Sequence, residues 1–218
     1  MRRKATVFVI FVLVMTGTFV GCNRYSLKAD PRAQDALMAL KKLDAKTESG
    51  LDRRDYSAAL GDANFAVKLF VESDKAKLAP EFSNALRETM KWYTAASELW
   101  DRHIETDQPY GYCEIVGSST AIEQAAFRSG AEPLCVSSYP ELIATTTEKP
   151  AERELRIIIY ELAMQEAWKR AAFALKNAEH SFNGEPLEKA DATLFKIDRK
   201  TEGEYLVREA KRVLFGSP

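Results

Sequence analysis

Most of the chemistry this sequence could perform would come from three cysteines, two histidines and a few acids beside apolar stretches. The cysteines are Cys22, Cys113 and Cys135, and the histidines are His103 and His180. A thiolate-based metal site would want a Cys-x-x-Cys pair or histidines at ligand spacing, and neither pattern occurs. A di-iron site in a helical protein needs Glu-x-x-His on facing helices. Here Trp100 stands three residues before His103 and Asn177 three before His180. No Gly-rich phosphate loop is present, since Gly111 and Gly117 have no Lys-Ser/Thr partner, and no Gly-x-Ser-x-Gly elbow exists. Glu161 and Glu166 lie near an apolar stripe, where a buried carboxyl has a raised pKa and can serve as acid or ligand. The simpler reading is a salt bridge to a Lys or Arg of a neighbouring helix, or exposure at the stripe's border. Each histidine fits a helix C-terminus, where a cation is favoured. On these grounds the chain is expected to be no enzyme and to need no cofactor and no metal.

Cys22 has a different context. Arg2, Arg3 and Lys4 lead into an apolar stretch from Ala5 to Met15, and the run Thr18, Phe19, Val20, Gly21 precedes the cysteine. The apolar core from Val7 to Val14 is shorter than the roughly 20 residues that a membrane span needs. A basic lead, a short apolar core and a small residue before the cut form a secretory pattern. With Cys22 directly after Gly21, residues 1–22 resemble the bacterial lipoprotein class, although Phe19 stands where that class usually has Leu. The resemblance implies that Cys22 becomes the new N-terminus and carries acyl chains such as palmitate. It places the protein in the bacterial cell envelope, lipid-anchored on the exported side of a membrane. Asn23, rather than Asp, points by the same resemblance to the outer membrane where one exists.

Export bears on the other cysteines. Cys113 and Cys135 are an even pair in a compartment where disulfides persist. Joined, they close a loop worth roughly 3 kcal/mol in the chain-entropy account; two free thiols are the alternative.

The whole chain has 218 residues, 31 basic and 32 acidic. Residues 1–21 hold three bases and no acid, so the mature chain from Cys22 carries a formal charge of −4. No run of Lys and Arg suggests a nucleic-acid partner. The interspersed charges suit solvated helical surfaces.

The periodicity predicts an all-α fold: a helical bundle of about four long helices and a shorter C-terminal one, with a disulfide-pinned loop insertion. Residues 1–21 are the signal peptide, 22–30 a tether, and 31–218 one helical domain with a loop excursion over 105–149. Asp30-Pro31 starts the first helix, with Ala33, Leu37, Leu40, Leu43 and Thr47 on one face, and Gly50 ends it. The second helix begins near Asp55, and Gly61 within it suggests close approach of a neighbour. Tyr56, Ala59, Leu60, Ala66 and Val67 are similar to the second helix of a tetratricopeptide repeat. Lys46 and Thr47 stand where the first helix would need a small residue, and no second copy follows, so the pattern reads as generic hairpin packing. Pro80 opens the third helix, which runs to about His103. The fourth begins after Pro150, surrounds itself with Ile157, Ile158 and Ile159, and continues as a stripe of Met164, Trp168, Ala171, Leu175, Ala178 and Phe182. Trp168 is expected to be buried, and Trp92, Trp100, Trp168 and Phe182 to form core rather than a pocket. A final helix covers about Lys200 to Phe215. Within the excursion a capping box, Thr120 to Glu123, predicts a short helix.

These readings favour a non-enzymatic interaction or accessory subunit, held to the membrane through lipid on Cys22 and bound to an envelope protein partner. Tyr110, Tyr112 and Tyr139 at the ends of the excursion are the candidate contact residues. The alternative is a small-ligand or lipid-binding module with a pocket between the third and fourth helices. Neither reading sets an oligomeric state. Replacing the lipidation residue, Cys22→Ser, should block processing or release the protein from membranes. Detergent-phase partitioning checks this, and an uncleaved variant still bound would make the apolar segment itself the anchor.

Overall fold

The computed structural model describes residues 26–116, 142, 144–148 and 153–190. The chain is mostly helical, with four α-helices among these residues: α1 Pro31–Ser49, α2 Arg53–Val71, α3 Pro80–Thr106 and α4 Tyr160–Asn183. None of them is long and apolar enough to cross a membrane. The signal segment, Cys22, the short helix at 120–127 and the final helix lie outside the described residues.

Local chemistry explains where the helices start and stop. The Asp30 carboxylate accepts from the Arg32 backbone N–H at 2.9 Å, and Pro31 has no N–H to leave unpaired. Gly50, at φ 80°, ends α1 in a conformation that a side chain would strain. Asp52 caps α2 through the Asp55 N–H at 2.8 Å. Gly184, at φ 77°, ends α4, with Glu185 N–H donating to the His180 carbonyl and Gly184 N–H to that of Ser181. That pair of bonds is a Schellman closure. The chain reaches the core even before α1, because residues 27–29 form a 3-10 turn with Leu27 packed against it. The described body therefore begins at Ser26, within the stretch 22–30.

Each helix packs on the next, and α4 returns to touch α1; the α3–α4 interface is the largest. Buried faces follow helical spacing: Ala33, Leu37, Leu40 and Leu43 on α1; Tyr56, Ala59, Ala63, Val67 and Phe70 on α2. Phe82 of α3 is fully buried, its ring 5.2 Å from Phe70 of α2 and 5.7 Å from Phe182 of α4. A short 3-10 segment, Asp74–Leu78, links α2 to α3. This connection, the start of α1 and the end of α4 share one end of the helical body. The α1–α2 turn and the end of α3 share the other, where Arg53 grips Asp101 through two hydrogen bonds.

Three features depart from the sequence expectations. First, residues 153–159 are not helical. They form β3, Arg153–Ile159, flanked by β1, Tyr110–Val116, and β2, Ala144–Glu148, in the antiparallel order β1-β3-β2. The run Ile157-Ile158-Ile159 is β-branched, stiff at χ1 and better suited to a pleated strand than to a helix. The excursion is thus no simple loop: both its ends are strands paired to β3. Second, Gly61 is exposed, and a Cβ built there would meet nothing within 4 Å, so no neighbouring helix approaches it. Third, Trp168 is half-buried rather than buried.

Two substitutions should therefore move stability in opposite directions. Gly61→Ala should stabilise by about 1 kcal/mol, the propensity difference at an exposed helical site. Phe82→Ala should cost about 3–5 kcal/mol, as for a large aromatic removed from a core. Urea unfolding midpoints check both.

Candidate functional site

The most connected side-chain cluster centres on Tyr56. Its hydroxyl donates to the Tyr93 carbonyl at 2.7 Å and accepts from the Trp168 indole N–H at 3.3 Å. The Tyr93 hydroxyl donates to Asp44 at 2.6 Å. The Tyr56 ring lies 5.7 Å from Trp100 and 6.1 Å from Trp168, and the two indoles are 6.0 Å apart, edge to face. Asp44, Tyr56, Tyr93 with Trp100, and Trp168 come from α1, α2, α3 and α4 in turn. Burial pushes both phenols far above their ordinary range, and the neighbouring Asp44 pushes Tyr93 further. Neither phenol ionises at physiological pH, so the cluster carries hydrogen bonds rather than charge. Of the four aromatics expected as core, Trp92 is buried, while Trp100, Trp168 and Phe182 pack against the core with part of their surface exposed.

A second cluster bridges α3 and α4. Glu166 is only 2% exposed. Its Oε1 accepts from Arg170 Nε at 2.8 Å, and its Oε2 has no hydrogen-bond partner among the described residues. The Arg170 guanidinium also lies over the Trp92 ring, 4.9 Å from its centre, and the Trp92 indole donates to Glu88 at 2.7 Å. The salt-bridge reading of Glu166 therefore holds, but the partner is one turn along its own helix, not on a neighbour. Burial raises the Glu166 pKa, opposed by the hydrogen bond and charge of Arg170 and the charge of Lys169. Glu161 is exposed.

The histidines bond carbonyls beyond the ends of their helices. His103 Nδ1 lies 2.8 Å from the Gln108 oxygen, and His180 Nδ1 lies 2.9 Å from that of Pro186. Each tacks down the chain as it leaves a helix. Among the described residues, no three His, Cys, Asp or Glu side chains gather as a metal-binding group.

Cys113 sits in β1 at a change of register: Tyr112 faces Ile157 and Glu114 faces Arg156, leaving Cys113 as the extra residue. Such a bulge bends a strand and re-aims a side chain. No disulfide is complete among the described residues, because Cys113 is the one described cysteine. Cys22 and Cys135 lie outside them. Of the candidate contact tyrosines, Tyr110 is 8% exposed and opens β1 as a packing residue, so it offers no ring to a partner. Tyr112 is on β1 next to the bulge, and Tyr139 is outside the described residues. Sequence reasoning did not find Asp44 or Arg170, and it placed Tyr93 only on the apolar face of the third helix. Arg170 could have been found as a base four residues after Glu166, on the same face of a helix. Compared with known protein families, curated proteins and solved structures, the chain matches none.

The raised Glu166 pKa has a consequence for stability. The native state holds a proton more readily than the unfolded chain, so stability falls as pH climbs from the ordinary 4.5 toward the raised value, and is level above it. Glu166→Gln lacks this titration. Unfolding midpoints from about pH 4 to pH 8 should show wild-type stability, relative to Glu166→Gln, declining with pH. A flat or rising difference would mean that the carboxylate ionises at no cost.

Proposed function

We propose that the chain is a membrane-anchored envelope lipoprotein, non-enzymatic, which presents a partner-binding surface at the end of a helical bundle away from its lipid. The observation that carries this reading is the polarity of the body. The N-terminal 3-10 turn, nearest in sequence to Cys22, touches α1 and α4 at one end. The sheet joins α3 and α4 at the other, where the Tyr160 N–H donates to the Pro109 carbonyl at 3.1 Å. The 27 residues of α3 separate the two by about 40 Å at 1.5 Å per residue. An accessory subunit with lipid at one end and a strand-bounded segment at the other can reach a partner standing off the bilayer.

In this reading Cys113 pairs with Cys135 and pins the segment between β1 and β2. A strand bulge holding the cysteine suits that role, since it turns one side chain out of the strand's alternation. The close packing of α3 on α4, with Ala163, Ala167 and Ala171 of α4 buried, supports partner binding over a ligand pocket at that interface.

The test is photocrosslinking in membranes, with a benzophenone amino acid at Tyr112 in one protein and at Phe65, on the outer face of α2, in another. A discrete adduct from position 112 that disappears when Cys113 and Cys135 are both Ser is the expected result. No adduct from 112, or an adduct from 65 alone, would place the partner elsewhere or leave no protein partner.

A further inference from the structure

The end of the helical body that carries the anchor has apolar side chains of its own. Leu78, at the close of the α2–α3 connection, is 62% exposed, and Leu69 in the last turn of α2 is also exposed. Lys75 and Lys77 precede Leu78 in the same short segment, Lys77 paired with Asp74 at 2.8 Å, and Lys68, paired with Glu72 at 3.7 Å, precedes Leu69. A lysine beside an exposed leucine suits the edge of a bilayer, because its stem lies along apolar surface while the ammonium stays among the headgroups.

We infer that this end rests in the bilayer interface, with Leu78 inserted and the neighbouring Lys75 and Lys77 at the level of the headgroups. The inference rests on the lipid-anchor reading. Chain length carries it. Only four peptide steps separate Cys22 from Ser26, where the folded body begins, and they reach at most about 14 Å when extended. A body held that closely cannot keep its near end clear of the headgroup layer, into which interfacial side chains sink by roughly 5–10 Å. The bilayer surface is therefore the occupant for this patch.

A bundle lying on its side is the rival geometry. It would place Phe65 of α2, 66% exposed, and Met38 of α1 against the lipid. Phe65 and Met38 have Asp62 and Asp35 one turn before them, and Leu78 has Asp74, so charge does not separate the two geometries. Ser26, where the short connection to Cys22 joins the body, stands at the end rather than midway along α1 and α2, so the end is the first surface brought to the headgroups.

The experiment uses the full-length lipidated protein in phosphatidylethanolamine–phosphatidylglycerol vesicles. An environment-sensitive fluorescent amino acid is placed at position 78, 65 or 104 in three separate proteins. Ile104, 58% exposed near the far end of α3, reports open water. All three sites are exposed, and circular dichroism confirms folding. Flotation with the vesicles is measured on the same samples. The expected result is that position 78 is quenched by nitroxide-bearing lipid and shielded from aqueous iodide, while positions 65 and 104 behave in the opposite way. Iodide access at 78 equal to that at 104, in protein that floats, overturns the interfacial contact and leaves the anchor reading standing. Lipid quenching at 65 instead of 78 overturns it in favour of the side-on geometry. Protein that fails to float overturns the anchor reading and this inference together.

Discussion

Among the described residues, directional bonds that reach across the helical body meet at the Tyr56 hydroxyl. It donates to a backbone carbonyl of α3 and accepts from an indole of α4, and Tyr93 carries the connection on to Asp44 of α1. Apolar packing alone tolerates small rotations and slips between helices, because burial depends on area rather than direction. Buried polar groups are less forgiving, since an unmade hydrogen bond inside a protein costs about 1–3 kcal/mol. With one such set tying four helices at the same level, a slip in any of them strands a phenol or an indole. The apolar residues around it, Phe70, Phe82 and Phe182 toward the near end and Leu99 and Ile158 toward the far one, then have a fixed register in which to pack.

The sheet depends on this arrangement because it has so little of its own. Three short strands make a marginal unit unless packed against something else. β3 runs without a break into α4, and β1 follows α3 after Asp107, whose left-handed φ of 50° ends that helix. The largest helix–helix interface therefore sets how far apart the outgoing and returning chains stand, and so whether β1 and β3 can pair. Tyr110 and Ile159 pair at that junction and both are buried, and the adjacent Ile158 joins the core of the helices.

How much of this was legible varied with the range of the interaction. Asp30-Pro31, Gly50, Pro80 and Gly184 act within a few residues of themselves, and the helix ends they signal lie where the sequence suggested or within a turn of it. The stretch 153–159 was misread because a short apolar run has no period of its own; helix and strand are both consistent with it. Its β-branched isoleucines were the available clue, and the threonines of β2 were a second. Gly61 was misread in another way: a glycine inside a helix suggests a close neighbour, yet here nothing uses the space. Tyr56, Trp100 and Trp168 were expected on packing faces, but the hydrogen bonds that join the Tyr56 cluster could not be read. Asp44, Tyr93 and Trp168 are 49 and 112 residues from their hydrogen-bond partners, and no local pattern announces that kind of pairing.

The acid at position 166 shows why the chemistry of a site cannot be judged from composition. A buried carboxylate with a raised pKa is the kind of group that catalysis uses, but catalysis needs a second group within reach and somewhere for a substrate to sit. Glu166 instead meets Arg170, which is itself stacked on Trp92, and Trp92 is bonded to Glu88. Apart from Glu166 Oε2, the polar groups of that chain are turned toward other protein groups, from the core of α4 out to the surface of α3. That is how a protein carries one buried charge across an interface without leaving it uncompensated. Its product is a fixed angle between α3 and α4, the two helices that hold the sheet. On the reading proposed for this chain, what matters at that sheet is where it stands relative to the membrane, so the charge network contributes to function by holding position and not by reacting.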